Sequence, residues 1–131
     1  MKNEIIIFEE ENVRLEVSVQ DDTVWLTQAQ MEILFGVKQN TISEHIKNIF
    51  FEEELDEKTS IGISDKSSGG RKAKLYNLNV IISVGYRVKS KRGTQFRIWA
   101  NSILKEYLLK GYVINPPRVD YIQKTTKIKF K

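Results

Sequence analysis

The spacing of apolar residues near the start of the chain predicts three short β-strands. From Val13 to Val19 every second residue is apolar, which is the period of a strand that buries one face. Apolar runs at residues 5–8 and 23–26 flank this segment, and polar turn residues separate the three. We therefore expect a small antiparallel sheet at the amino terminus, serving as a platform rather than as a site.

The next segment, residues 27–36, has the spacing of an amphipathic helix. Thr27 is a suitable N-cap, and Gly36 lacks the Cβ that would hinder a tight turn at the other end. The apolar positions with this spacing are Ala29, Met31, Leu34 and Phe35.

A second helix is predicted directly after Val37. Ile42, Ile46 and Ile49 form its inward stripe, so the polar residues between them would face outward. Two helices joined by a glycine turn, the second with a polar outer face, are typical of a helix-turn-helix, which places its second helix in the major groove of DNA. The alternative is an ordinary helical hairpin with a glycine corner. The outward residues are Gln39, Asn40, Ser43, Glu44 and Lys47.

An acidic connection follows at residues 52–57 and contains three consecutive glutamates. Consecutive side chains point in different directions and do not converge on one metal ion. We therefore expect a solvated loop or helix end here.

Residues 59–77 predict a β-hairpin. Two strand-like arms, at residues 59–63 and 73–76, flank a stretch rich in turn-forming residues. A hairpin directly after a helix-turn-helix is the layout of a winged helix, whose wing contacts the DNA backbone. Arg71, Lys72 and Lys74 would then bind phosphates. The alternative is a surface loop whose cations serve only solubility.

Two further helices are predicted after the hairpin. Asn77 or Asn79 can cap the first, which is apolar nearly all round over residues 80–86 and should be buried. Thr94 can cap the second, which Gly111 ends. The apolar stripe of the second is Phe96, Trp99, Ala100, Ile103, Leu104, Tyr107 and Leu108. Before a predicted turn glycine, Gly93, come four cations: Arg87, Lys89, Lys91 and Arg92.

These elements together predict an α+β fold. It would be a winged helix-turn-helix with a small amino-terminal antiparallel sheet and two further carboxy-terminal helices. At 131 residues the chain is most simply one domain. We expect residues 1–117 to form it and residues 118–131 to be a basic tail or the start of a linker.

Charge is distributed very unevenly along the chain. Residues 1–65 contain 5 Lys or Arg and 15 Asp or Glu, which gives a net charge of −10. Residues 66–131 contain 16 Lys or Arg and 2 Asp or Glu, which gives a net charge of +14. A block that basic repels itself unless an anion meets it, and nucleic acid is the commonest such partner. The alternative is that the acidic half neutralises the basic half internally.

Composition argues against several other classes of function. The chain has no cysteine and one histidine, His45, so no recognisable catalytic or thiolate metal site can be assembled. We expect no catalytic residue, no metal and no cofactor. Trp25 and Trp99 are expected to be buried packing residues, and His45 to be a partly buried packing or backbone-contact residue. No run approaches the ~18 apolar residues of a membrane span and no signal peptide is evident, so a cytoplasmic protein without membrane contact is expected.

Several motifs resemble the RhuM family of bacterial virulence-associated and mobile-element proteins. They are TVWLTQ from Thr23, LFGV from Leu34, TISEHIKNIF from Thr41, and the stretch from Tyr76 to Ala100. The resemblance covers about residues 1–117. The FRIW box from Phe96 also resembles phage antirepressor and Bro-type amino-terminal DNA-binding domains. Family members are typically longer, so we expect a truncated member or an excised domain; the resemblance implies DNA binding and brings no catalytic residues.

The prediction for function is a DNA-binding domain without catalysis that binds double-stranded DNA, with a monomer and a homodimer left open as alternatives. Amides on the second helix would read base edges and the cations would bind phosphates. The alternative is an antirepressor-type module that binds a repressor or another protein partner. The predicted contact residues are Thr27, Lys38, Gln39, Asn40, Thr41, Ser43, Glu44, Lys47, Arg71, Lys72, Lys74, Arg87, Lys89, Lys91 and Arg92.

Overall fold

The computed structural model describes residues 4–64 and 73–111, which form an α+β fold of five strands and five helices. None of the helices within this part of the chain combines the length and the apolarity needed to cross a membrane. In chain order the elements are β1 (Glu4–Glu10), β2 (Val13–Gln20), β3 (Thr23–Leu26), α1 (Gln28–Phe35), α2 (Gln39–Phe51), α3 (Glu57–Ser60), β4 (Ile61–Ser64), β5 (Ala73–Asn77), α4 (Leu78–Val88) and α5 (Lys91–Lys110).

All five strands belong to one antiparallel sheet, in the order β1-β2-β3-β5-β4. The three amino-terminal strands and the β4–β5 hairpin are confirmed, but Thr59 and Ser60 lie in the short helix α3 rather than in the first arm. The prediction of a separate amino-terminal sheet was wrong in extent. The sheet continues into the hairpin, because Leu26 of β3 pairs with Tyr76 of β5. The hairpin is therefore anchored to the rest of the fold.

One face of the sheet carries the main hydrophobic core. The alternating residues of β2 are fully or almost fully buried there, as the period of two predicts. Residues of α1, α2, α4 and α5 complete the same cluster. The largest fully buried side chains include Phe8, Phe96, Leu26, Met31, Leu34, Ile42, Ile49 and Ile81.

Trp25 is buried as expected, but on the opposite face of the sheet. Strand register puts it on the same face as Leu75, and both lie outside the main cluster. The indole Nε1 donates to the carbonyl of Gln20 at 2.9 Å. A Cβ built on Gly62 would lie 3.2 Å from the Trp25 ring, so this glycine gives the indole its space.

The α1 helix begins and ends as the sequence predicts. The Thr27 hydroxyl accepts from the backbone N–H of Gln30 at 3.1 Å, and the Gln30 side chain accepts in return from the N–H of Thr27 at 2.8 Å. Gly36 has a φ of 68°, and its N–H closes the helix on the carbonyl of Glu32. The apolar stripe is confirmed except at Ala29, which is exposed.

The α5 helix begins earlier than predicted, with Ser90 rather than Thr94 as its N-cap. Gly93 therefore lies in the first turn of the helix and is not a turn glycine. A Cβ at this position would lie 2.9 Å from Cε1 of Phe35 and 3.5 Å from the Cα of Gly85. Gly93 and Gly85 thus let α5 and α4 approach each other closely. They also let both helices pack against the buried Phe35 ring at the end of α1.

Arg92 joins the start of α5 to the end of α1. One guanidinium nitrogen lies 2.8 Å from the carbonyl of Leu34 and 3.4 Å from that of Ile33. Carbonyls in the last turn of a helix have no partner within that helix, so Arg92 satisfies two that precede the Gly36 turn.

The two carboxy-terminal helices are confirmed, with corrections at their surfaces. Asn77 caps α4 by accepting from the N–H of Val80. Tyr86 was expected to be buried but is 74 % exposed, and Leu108 of the predicted α5 stripe is 71 % exposed. Trp99 packs edge-on against Phe8 at a ring-centroid distance of 5.2 Å, which fastens α5 to β1.

Arg87 connects α4 to the acidic segment that follows α2. Its guanidinium lies 2.9 Å from a carboxylate oxygen of Glu52 and 2.8 Å from one of Glu54. The Ser83 hydroxyl donates to the other oxygen of Glu54 at 2.7 Å. The expectation that this segment is merely solvated was incomplete, because two of its glutamates fix the end of α2 against α4.

We predict that Gly93→Ala destabilises the fold. The added methyl would overlap the Phe35 ring, and overpacking of a core typically costs 1–3 kcal/mol, against about 1 kcal/mol gained from replacing a helical glycine. We therefore expect the free energy of unfolding, measured by urea denaturation, to fall by about 1 kcal/mol. Thr94→Ala, at an exposed neighbouring position, is the matched control and should change stability little. Equal effects of the two substitutions would contradict the close contact.

Combining Gly93→Ala with Phe35→Leu tests the contact itself. Removing the ring removes the overlap, so the cost of the alanine should shrink in the Phe35→Leu background. An unchanged cost would show that the ring is not what Gly93 accommodates.

We also predict that the Arg87 network makes stability depend on pH. Hydrogen bonds from Arg87, then from Ser83, hold the pKa of Glu54 below its ordinary value of 4.5. Its contribution to the free energy of unfolding is therefore present above pH 4.5 and is lost as the pH falls through the lower folded pKa. Glu54→Gln should lower the free energy of unfolding by about 0.5–1 kcal/mol at neutral pH, a contribution typical of exposed ion pairs. The decrease should become progressively smaller in acid.

The matched control is Glu53→Gln, at an exposed position that makes no ion pair within the described residues. It should have little effect at either pH. A cost of Glu54→Gln that stays constant from neutral to acid pH would rule out a charge-based role.

Candidate nucleic-acid interface

The α2 helix presents the polar surface that the sequence predicts. Ile42, Ile46 and Ile49 are buried, so the opposite side of the helix faces solvent. The exposed residues there are Lys38, Gln39, Asn40, Glu44 and Lys47, with Thr41 and Ser43 half-buried beside them.

A contact from α1 supports the first turn of α2. Gln28 Nε2 donates to the carbonyl of Gln39 at 3.3 Å. The side chain of the first residue of α1 is therefore close to the backbone of the first residue of α2, at one end of the exposed face. The preceding residue, Thr27, uses its hydroxyl in the α1 cap.

A cleft separates α2 from the β4–β5 hairpin. Ser43 and Lys47 line it from the helix, and Lys74 and Tyr76 line it from β5. The structure therefore brings together three residues that the sequence assigned to two different elements, namely Ser43, Lys47 and Lys74. The rest of the lining is mainly apolar and includes Ile46, Phe50, Phe51 and Ile61.

Tyr76 lines this cleft while being only 6 % exposed and part of the main hydrophobic core. Burial raises the pKa of Tyr76, and the nearby negative charge of Glu57 raises it further. The phenol therefore stays neutral at neutral pH. Glu57 is the one carboxylate among the described residues that line the cleft.

Sequence reasoning missed three residues of this surface: Gln28, Tyr76 and Phe51. Phe51 is 86 % exposed. Its exposure could have been predicted, because it lies two residues after Ile49 and so about 200° around a helix of 3.6 residues per turn from the buried stripe. The roles of Gln28 and Tyr76 depend on contacts between elements distant in sequence, and no local pattern signals them.

The basic residues around the α4–α5 turn do not line this cleft. Lys89 has a φ of 53° and ends α4, and Lys91 begins α5; both border concave surfaces next to this turn. Arg92 binds carbonyls of α1, and Arg87 is paired with Glu52 and Glu54. The expectation of one cluster of four equivalent phosphate-binding cations therefore needs correction, because two of the four guanidinium and ammonium groups have partners within the fold.

Two predicted wing residues, Arg71 and Lys72, lie outside the described residues. Within residues 4–64 and 73–111, no three histidine or carboxylate side chains are grouped as metal ligands would be. His45 is half-buried on α2, and its Nδ1 has no hydrogen-bond partner there. The expected partial burial is confirmed, whereas this nitrogen makes no backbone contact among the described residues.

Comparison with known proteins identifies a family for this chain. The model of the virulence protein RhuM family matches residues 54–131, which include the hairpin, α4 and α5. The match begins after α2, so the α1–α2 segment lies outside it. No curated protein and no solved structure matches the chain. Because the matched range covers more than half of the sequence, the chain belongs to the RhuM family.

Proposed function

We propose that this protein is a DNA-binding domain of winged helix-turn-helix type. In this proposal α2 enters the major groove and the β4–β5 hairpin contacts the phosphate backbone. One observation carries it: Lys47 of α2 and Lys74 of β5 line the same cleft beside the exposed polar face of α2. A helix and a hairpin with cations on a shared surface suit a duplex, whose major groove admits a helix between two rows of phosphates.

Base recognition would come from the first turn of α2. The side chains of Gln39 and Asn40 are exposed there, and a carboxamide can both donate to and accept from the edge of adenine. Ser43, one turn later, could bind either a base or a phosphate. Glu44 would accept from the amino group of cytosine and oppose close approach of a phosphate.

Backbone contacts would come from three cations around this face. Lys38 precedes α2, while Lys47 and Lys74 border the cleft. These contacts would position the duplex without reading its sequence, and the proposal assigns no catalytic step to the protein.

A second candidate function is protein recognition on the same side of the molecule. Phe51 is 86 % exposed at the end of α2, and Ile63 of β4 is 54 % exposed on the same strand as Ile61. Large exposed apolar side chains beside a cleft of mixed polar and apolar lining favour a protein partner over solvent. This is the antirepressor-type alternative.

Paired substitutions separate base reading from backbone binding. A preferred duplex is first selected from a random pool, and fluorescence anisotropy then gives its affinity and that of unselected DNA. Gln39→Ala with Asn40→Ala should weaken binding to the selected duplex by about tenfold or more, since each good base contact is worth about 1–3 kcal/mol, and unselected DNA much less.

Lys47→Gln with Lys74→Gln should instead weaken binding to both duplexes alike. Loss of two phosphate contacts should also reduce the slope of log affinity against log salt by up to about 1.8. The matched control is Lys105→Gln with Lys110→Gln, which removes the same charge from exposed positions on α5. If the Gln39→Ala, Asn40→Ala variant, the Lys47→Gln, Lys74→Gln variant and the control variant all change binding in the same way, the proposal is contradicted. A folded protein that binds no duplex at low salt would favour the protein-recognition candidate.

A further inference from the structure

A second concave surface lies between α4 and α5, away from the α2–hairpin cleft. Three cations from the two helices and their turn line it, namely Lys89, Lys91 and Arg97. Hydroxyl groups of Tyr86, Ser90 and Thr94 line it as well, and no carboxylate does among the described residues. We refer to it as the α4–α5 cleft.

The two helices cross closely next to this surface. Gly85 of α4 and Gly93 of α5 face each other and both border the α4–α5 cleft. The missing side chains at both positions would point toward Phe35, so the two glycines let the helices cross closely next to this ring. Tyr86 also borders the α4–α5 cleft and is 74 % exposed, although the rest of its helix is largely buried.

The three cations have no partner within the described part of the fold. The ion pairs there join Arg87 to Glu52 and Glu54, and Lys110 to Glu106. Lys89, Lys91 and Arg97 form no such pair among the described residues, so no ion pair neutralises their charges around this concave surface. Mutual repulsion of this kind is relieved when an anion with several oxygens binds.

This surface is continuous with the start of α2. A neighbouring concavity is lined by Gly36, Lys89, Lys91 and Arg92 together with one carboxylate, Glu11, so two lysines border both concavities. Arg92 holds the beginning of α5 against the last turn of α1, and α2 begins three residues after Gly36. The start of α2 and the α4–α5 cleft therefore lie on either side of this shared concavity, which both lysines border.

We infer that the α4–α5 cleft is a second phosphate-binding surface, which binds the backbone of duplex DNA beside the segment contacted by α2. The inference rests on the proposed function for the identity of the anion. It goes further in assigning Arg97, Tyr86 and Thr94 to DNA contact. It also implies a footprint longer than one α2 helix and one hairpin can cover.

The test compares duplexes of two lengths with the full chain. One has about 12 base pairs, roughly the single helical turn that a recognition helix covers, and the other about 30. The variant is Lys91→Gln with Arg97→Gln, and the control is Lys105→Gln with Lys110→Gln on the same helix. Circular dichroism and urea unfolding confirm that all three proteins are equally folded.

We expect the Lys91→Gln, Arg97→Gln variant to lose about tenfold in affinity for the long duplex and to reduce its salt slope by about 1–2. The short duplex and the control variant should change much less. Equal losses for the variant and the control, or equal losses on both lengths, would overturn the inference.

Failure of this inference and failure of the proposed function give different results. If Lys47→Gln with Lys74→Gln leaves binding intact while the Lys91→Gln, Arg97→Gln variant loses it on the long duplex, phosphate binding by the α4–α5 cleft stands and the role proposed for α2 fails. If the reverse holds, the α2–hairpin surface binds DNA alone and the α4–α5 cleft does not.

Discussion

Phe35 lies against two glycines, Gly85 and Gly93, and this contact determines where α1 ends relative to α4 and α5. A methyl group on Gly93 would come within 2.9 Å of the ring, so the three helices can meet only where a side chain is missing. Arg92 reinforces the junction by binding the carbonyl of Leu34. Because Gly36 follows Phe35 directly, the same junction sets the direction in which α2 leaves the core.

The β3–β5 pairing has the corresponding role for the hairpin. Since Leu26 is paired with Tyr76, the end of the amino-terminal sheet carries the hairpin that lies across from α2. Arg87 adds a third restraint by binding Glu52 and Glu54 just after α2. The acidic and basic halves of the sequence are therefore joined at this point, while other cations stay on the surface. These restraints hold the two walls of the α2–hairpin cleft on elements that are packed into one core.

Local patterns predicted most of the secondary structure and the exposed face of α2. The period of two over residues 13–19, the Thr27 cap and the Gly36 turn each depend on neighbouring residues and were correct. Errors arose where long-range contacts decide the outcome. Gly93 has the sequence context of a turn, but in the structure it allows two helices to cross closely. Tyr86 lies at the border of the α4–α5 cleft instead of in the core. The pairing of Arg87 with residues more than thirty positions earlier left no local signal.

The central claim is that α2 and the hairpin together bind duplex DNA and that α2 reads its sequence. The most direct test is to select bound molecules from a random pool of duplex DNA at a low and a high salt concentration. The account predicts binding that weakens steeply with salt, together with enrichment of a short motif that persists at the higher salt. Binding without any enriched motif would contradict base reading by α2, and a folded protein that binds no duplex at low salt would contradict the claim as a whole.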